Sequence, residues 1–157
     1  MTTGLMRANE MEHFQFSLTF HVRDYECDFQ GIVNNAMYLH YVEHCRHEYA
    51  KHIGLDVVSL AKQGINLVVI RAELNYKHPL RSGDTFVVGT NLERVSRIRL
   101  AFQHTIYCPH QGASASNDGY DPEQDILIAQ VRILVTAMNE HGRPFWPKSL
   151  DALFHQG

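Results

Sequence analysis

The segment Arg23-Asp24-Tyr25-Glu26-Cys27-Asp28-Phe29-Gln30-Gly31-Ile32-Val33-Asn34-Asn35 gathers the groups of this chain best able to do chemistry. Two carboxylates, Glu26 and Asp28, stand two positions apart, just before a turn led by Gly31. A run with helical periodicity begins at about Ala36, so both carboxylates sit in a loop that feeds a helix N-terminus. Such an end carries unpaired backbone N–H groups and a partial positive charge, and it can hold a developing oxyanion. A carboxylate in that loop can approach the same carbonyl. Acyl transfer needs this combination of an attacking or base group and oxyanion donors. On residue types alone, Asp28 and Glu26 read first as turn residues that accept loop hydrogen bonds, and Glu26 reads as a solvated side chain. Cys27 offers a thiol beside Asp28, but no residue is placed as its base, so it reads as a small loop residue.

Three further groups have chemical potential. His40, His44 and His47 recur at i, i+4 and i+7 with Glu43 beside them, which is metal-ligand spacing. The same positions form the polar face of an amphipathic helix, and no metal site is read there. His104 falls on the apolar face of a strand and reads as a core histidine. Arg94, Arg97 and Arg99 cluster where one strand turns into the next. Arginine matches phosphate geometry, and the same three residues also suit a solvated hairpin tip.

The elements that must position these groups follow from periodicity. Strict alternation predicts five strands, carrying Phe14 to Val22, Ile70 to Tyr76, Phe86 to Leu92, Ile98 to Ile106, and Leu127 to Ala137. In the last, Leu127, Ala129, Val131, Ile133, Val135 and Ala137 face one way. One long helix is predicted from Ala36 to Ile53, with Tyr38, Tyr41, Val42, Cys45, Tyr49 and Ile53 on its apolar side. Asn34 or Asn35 is its expected N-cap, and Gly54 its stop. A short helix is expected over Val57 to Lys62. The resulting order is strand, helix, four strands: an α+β fold in which an antiparallel sheet, wet on one face, covers one helix with the other.

Residues 1–157 are expected to form a single domain. Met1–His13 reads as a loosely held N-terminal arm. Residues 109–124, rich in Gly, Ser, Asn, Asp and Pro, are expected to be a mobile loop, because they have little apolar surface to bury. A net charge of −3 argues against global attraction to nucleic acid. Three cysteines without a close-spaced pair argue against a disulfide framework and fit a reducing cytoplasm. No apolar run approaches the roughly 20 residues of a membrane helix, and the N-terminus lacks the apolar core of a signal peptide.

The run Glu26-Cys27-Asp28-Phe29-Gln30-Gly31-Ile32-Val33-Asn34-Asn35-Ala36-Met37-Tyr38 resembles the 4-hydroxybenzoyl-CoA thioesterase family of hotdog proteins. Tyr41, Glu43 and Arg46 on the helix extend the match, as does the downstream pattern of Tyr76, Pro79, Gly83 and Asp84. The likeness covers about Ser17 to Met138. The departures are Glu26, where an aspartate is usual, and the long loop after Cys108.

The resemblance implies a hotdog fold of five or more strands around one central helix, and an acyl-CoA thioesterase that releases a free acid and CoA. Asp28 takes the place of the catalytic aspartate, as nucleophile or general base. A carboxylate of ordinary acidity is ionised at neutral pH and is a poor base but a competent nucleophile, able to form a mixed anhydride that water opens. The backbone N–H of Asn35 would polarise the thioester carbonyl, Gly31 would let the backbone pass close to the acyl group, and Tyr38 would line the pocket. Arg97 and Arg94 would meet the CoA nucleotide. No cofactor is implied, since CoA is part of the substrate, and the carrier could equally be acyl carrier protein. In the family, pockets form between subunits, which implies a homodimer or homotetramer. A non-catalytic acyl-CoA-binding module and a hotdog hydratase or dehydratase remain as alternatives. The latter usually carries a His-led motif at the active helix, and none is seen here.

Overall fold

The apolar stripe of the long helix meets one face of an antiparallel sheet. A computed structural model describes residues 10–110 and 119–154. Its elements are β1 (Phe16–His21), α1 (Met37–His52), α2 (Val57–Lys62), β2 (Asn66–Tyr76), β3 (Thr85–Arg94), β4 (Arg99–Cys108), β5 (Ile126–Met138) and β6 (Pro144–Phe145). The strand order is β1-β3-β4-β5-β2, with the short β6 added on β5, and every pairing is antiparallel. β1 and β2 lie at opposite edges, so the chain between them must cross a face of the sheet, and α1 makes that crossing. Tyr38, Tyr41, Val42, Cys45 and Tyr49 are buried along it and join Phe86, Val88, Phe102, Val131 and Ile133 in one core. Phe86 is fully buried, stacked on Phe20 with centroids 5.2 Å apart and tilted against Tyr41 at 4.8 Å. Burying one such side chain contributes about 1.5–3 kcal/mol.

The ends of α1 are closed by its own sequence. Gly54 adopts φ +75°, and Leu55 N–H donates to the Ala50 carbonyl at 2.8 Å, which closes the helix in a Schellman turn. At the N-terminus the cap position is Ala36, without a side-chain cap, in place of the expected Asn34 or Asn35. Asn34 acts one step earlier. Its Oδ1 accepts from Ala36 N–H and its carbonyl from Met37 N–H, both at 2.9 Å.

Strict alternation fails in two strands, at bulges. In β2, Val69 pairs with Val135 and Arg71 with Leu134, so Ile70 is the extra residue and Val69 shares the face of Ala72 and Leu74. In β5, Ala129 pairs with Ile106 and Leu127 with Tyr107. The extra residue Ile128 enters the core, and the expected Leu127 does not. The outer face of the sheet is also not wet at its centre. Val87, Ala101, Thr105 and Tyr107 are buried there. The ring of Phe14 occupies the space that a Cβ at Gly89 would fill, and it stacks on Tyr107 at 6.0 Å. Glu12 accepts from the Thr105 hydroxyl at 3.0 Å and bridges to Tyr120.

Of the expected arm and loop, residues 1–9 and 111–118 lie outside the described residues. The flanks of the loop are held. The Asp125 carboxylate accepts from the backbone N–H groups of His110 and Asp121, both at 2.8 Å, and lies 2.7 Å from His110 Nδ1.

Candidate active site

After β1 the chain makes one 3-10 turn, Asp24–Glu26, and then a tight turn from Asp28 to Gly31. Glu26 is buried, not solvated: its Oε1 accepts from Arg23 N–H at 2.8 Å, and its carbonyl accepts from Asn34 N–H at 2.9 Å. The Tyr41 phenol is pushed well above its usual range, first by burial and then by the Glu26 charge beside it. Glu26 therefore clamps both ends of the loop that carries Asp28.

Asp28 holds its own turn. Its N–H donates to the Ile32 carbonyl at 2.8 Å, its carbonyl accepts from Gly31 N–H at 3.0 Å, and its Oδ1 accepts from Gln30 N–H at 2.8 Å. Among the described residues no hydrogen bond engages Oδ2. Gly31 has φ +80°, a left-handed conformation that favours glycine. It is exposed and does not line the cavity described next. Val33 N–H donates to the Leu80 carbonyl at 2.8 Å, and Ile32 bridges to Arg81, which pins the loop to the segment after β2.

A cavity of about 490 Å³ opens between that loop, the start of α1 and the end of β2. Three of the candidate residues, Asp28, Asn35 and Tyr38, line it together. Ile32, Val33 and Pro79 make its walls apolar. The backbone N–H of Asn35 has no acceptor among the described residues, while its carbonyl accepts from the Tyr76 hydroxyl at 2.9 Å. Tyr76 and Tyr38 meet edge to face with centroids 5.2 Å apart. Burial holds the Tyr38 phenol above its usual range, so it stays neutral. Tyr76, Lys77 and His78 also line the cavity and were not singled out in the sequence. The spacing of Tyr76 and Pro79 marked the segment as a pattern, but nothing in it showed that the strand end would face Asp28.

Residues 22–154 match the sequence model of the thioesterase-like superfamily. The chain belongs to that superfamily. The resemblance read from Glu26 to Tyr38 is thereby borne out. An acyl-acyl carrier protein thioesterase of Arabidopsis thaliana, described as chloroplastic, is 42% identical over 86 residues, covering 55% of this chain and 45% of the relative. The chain spans about half the length of the curated relatives it matches. Among solved structures, a hypothetical protein from Aquifex aeolicus superposes with a TM-score of 0.70 at 27% identity, covering 88% of this chain and 98% of the other. A 4-hydroxybenzoyl CoA thioesterase mutant, complexed with 4-hydroxybenzoyl CoA, superposes with a TM-score of 0.72 at 14% identity, covering 88% and 96%. The hotdog fold expected from the sequence is the fold of this superfamily member.

The remaining candidates lie elsewhere in the fold. Arg94 and Arg97 sit at the β3–β4 hairpin and do not line the cavity. Arg94 is engaged: its guanidinium lies 3.7 Å over the Trp146 ring, 3.9 Å from Asp151, and donates to the Arg97 carbonyl at 2.9 Å. Arg97 is exposed. His40, His44 and His47 are exposed along α1, and no cluster able to hold a metal ion occurs among the described residues. Cys27, Cys45 and Cys108 are free thiols. No helix among the described residues is long and apolar enough to cross a membrane.

Proposed function

We propose that this chain hydrolyses acyl thioesters, releasing a free carboxylic acid and the thiol of CoA or of acyl carrier protein. The observation that carries this reading is that Asp28 and Asn35, whose N–H has no acceptor among the described residues, line one apolar, tyrosine-walled cavity. The acyl group packs against Tyr38 and Tyr76, the thioester oxygen accepts from Asn35 N–H, and Asp28 acts as nucleophile or general base. No cofactor is needed in this scheme. Membership of the superfamily, and relatives named for acyl carrier protein and CoA thioesters, support it over a hydratase or a purely binding module. The deciding experiment follows thiol release from a panel of acyl-CoA and acyl-carrier-protein thioesters, with binding measured in parallel. Binding without release would leave only the binding module.

The site is proposed to work in a homodimer or homotetramer. β2 is an edge strand whose Val69 and Tyr76 are each 51% exposed, and Tyr76 belongs to the cavity wall. A single copy therefore leaves that wall open. Sedimentation is expected to give a dimer or larger, and a fully active monomer would contradict it. Three free thiols fit the reducing cytoplasm proposed from the sequence.

Arg97 is proposed to meet the CoA nucleotide. Arg97→Ala is then expected to raise KM for acyl-CoA far more than it lowers kcat, because phosphate contact is shared by ground and transition states. The effect should vanish with an acyl-pantetheine substrate. Equal losses for both substrates would remove Arg97 from the nucleotide site.

A further inference from the structure

The end of β2 delivers an imidazole to the cavity that holds Asp28. The β5 bulge explains how. Its extra residue, Ile128, offers a carbonyl that accepts from Lys77 N–H at 2.8 Å and from His78 N–H at 3.1 Å. The neighbouring Leu127 carbonyl lies 2.9 Å from His78 Nδ1. A carbonyl can only accept, so Nδ1 carries the hydrogen, and a neutral ring then has its lone pair on Nε2. Among the described residues no hydrogen bond engages Nε2. His78 is thus anchored through its main chain and through one ring nitrogen, and it lines the cavity with the other still unengaged.

We propose that His78 is a catalytic residue whose Nε2 takes a proton from the water that releases the acyl group. The proposal rests on the thioesterase reading above. Its chemical basis is a mismatch. As chemical classes, an imidazole is a stronger base than a carboxylate and so the better acceptor for a proton from water. The balance of the step is simple. The water oxygen bonds to the acyl carbon while one water proton passes to Nε2. The bond that breaks is C–S if water attacks the thioester directly, or the C–O bond of the anhydride if Asp28 attacked first. Nε2 then returns the proton to the thiolate sulfur or to solvent. The titratable groups that share the cavity with the imidazole are Asp28 from the loop, Tyr38 from α1, and Tyr76 and Lys77 from the end of β2. β5 meets the ring through the Leu127 carbonyl and the His78 main chain through the Ile128 carbonyl.

His78→Asn separates catalysis from anchoring, since the asparagine amide can donate to the Leu127 carbonyl in place of Nδ1 but has no group in place of Nε2. The probes are octanoyl-CoA, benzoyl-CoA and octanoyl-acyl carrier protein, with thiol release followed from pH 5 to 9. On the thioester the wild type turns over, the variant is expected to lose roughly a hundredfold or more in kcat, with KM little changed. Its melting temperature should match the wild type, and the acidic limb of the wild-type kcat profile should disappear. In His78→Ala, added imidazole should restore part of the rate. A His78→Asn variant that keeps its rate, or that slows while retaining the wild-type acidic limb, overturns the proposal and leaves the thioesterase reading intact. A wild type that releases thiol from none of the three probes overturns both.

Discussion

Asp28→Asn is expected to lower kcat for thioester hydrolysis by roughly a hundredfold to ten-thousandfold, while acyl-CoA binding and the fold survive. Asparagine is nearly isosteric, and its side-chain oxygen can still accept from Gln30 N–H, the bond that shapes the turn. The change removes the charge and with it both the attack on the carbonyl and the activation of water. Glu26 provides the contrast. It does not line the cavity that holds Asp28, and it is buried and accepts from Arg23 N–H. Glu26→Gln keeps that acceptor and should leave most activity. Glu26→Ala leaves the part-buried Arg23 N–H without that acceptor, a loss of about 1 kcal/mol, a fraction of the roughly 5–15 kcal/mol that holds a domain together. It should therefore fold, with the Asp28 loop loosened and kcat reduced less than by Asp28→Asn. Full activity in Asp28→Asn, with mass spectrometry excluding deamidation to Asp, would overturn the assigned role.

The fold was legible where one period dominated. The stripe from Tyr38 to Tyr49 repeats at helical spacing and is buried as read, and α2 spans Val57–Lys62 as expected. Legibility failed at the two bulges. Residues Leu67–Ile70 and Ile126–Ile128 are apolar on consecutive positions, so alternation cannot say which residue is the extra one. Only pairing against Val135 and Ile106 decides it. The dry outer face failed for a different reason. A glycine in mid-strand can mark a close approach, but the partner of Gly89 is Phe14, which lies 75 positions away and was counted as part of β1.

The candidate site divides along the same line. Asp28, Asn35 and Tyr38 are close in sequence and carry a recognisable pattern, so they were named together as candidates, and they line one cavity. Tyr76 was noted only as part of a turn pattern. Lys77 and His78 carry no pattern of their own and reach the cavity through long-range pairing of β2 with β5. Glu26 was misjudged because a carboxylate in a loop is usually solvated, and nothing local shows that the side chain turns inward to accept from Arg23 N–H beside the buried Tyr41.

The most buried titratable group gives the chain an expected acid sensitivity that does not depend on the catalytic assignment. His104 is fully buried on β4, its Nδ1 2.9 Å from the Thr90 hydroxyl, which in turn lies 3.2 Å from Cys45 Sγ. Its Nε2 has no hydrogen-bond partner among the described residues. Burial, with a smaller contribution from the Arg46 charge, lowers its pKa from 6.5 to about 3. In the unfolded chain the same imidazole titrates near about 6.5. Between those values the unfolded state binds a proton that the native state refuses, so stability is intact above about pH 6.5 and falls as the pH drops toward 3. The limiting slope for one proton is about 1.4 kcal/mol per pH unit, and the full loss is roughly 5 kcal/mol, comparable to the stability of a marginal domain. Other groups also contribute to acid unfolding, and a variant isolates this one. His104→Leu keeps an apolar side chain at the position, removes the unpaired Nε2, and leaves Thr90 its contact with Cys45. Urea unfolding measured from pH 4.5 to 7.5 should show the wild type losing stability below pH 6.5 more steeply than His104→Leu, with slopes differing by close to one proton. Parallel curves would mean that His104 is protonated in the native state, and that the core opens to water around it.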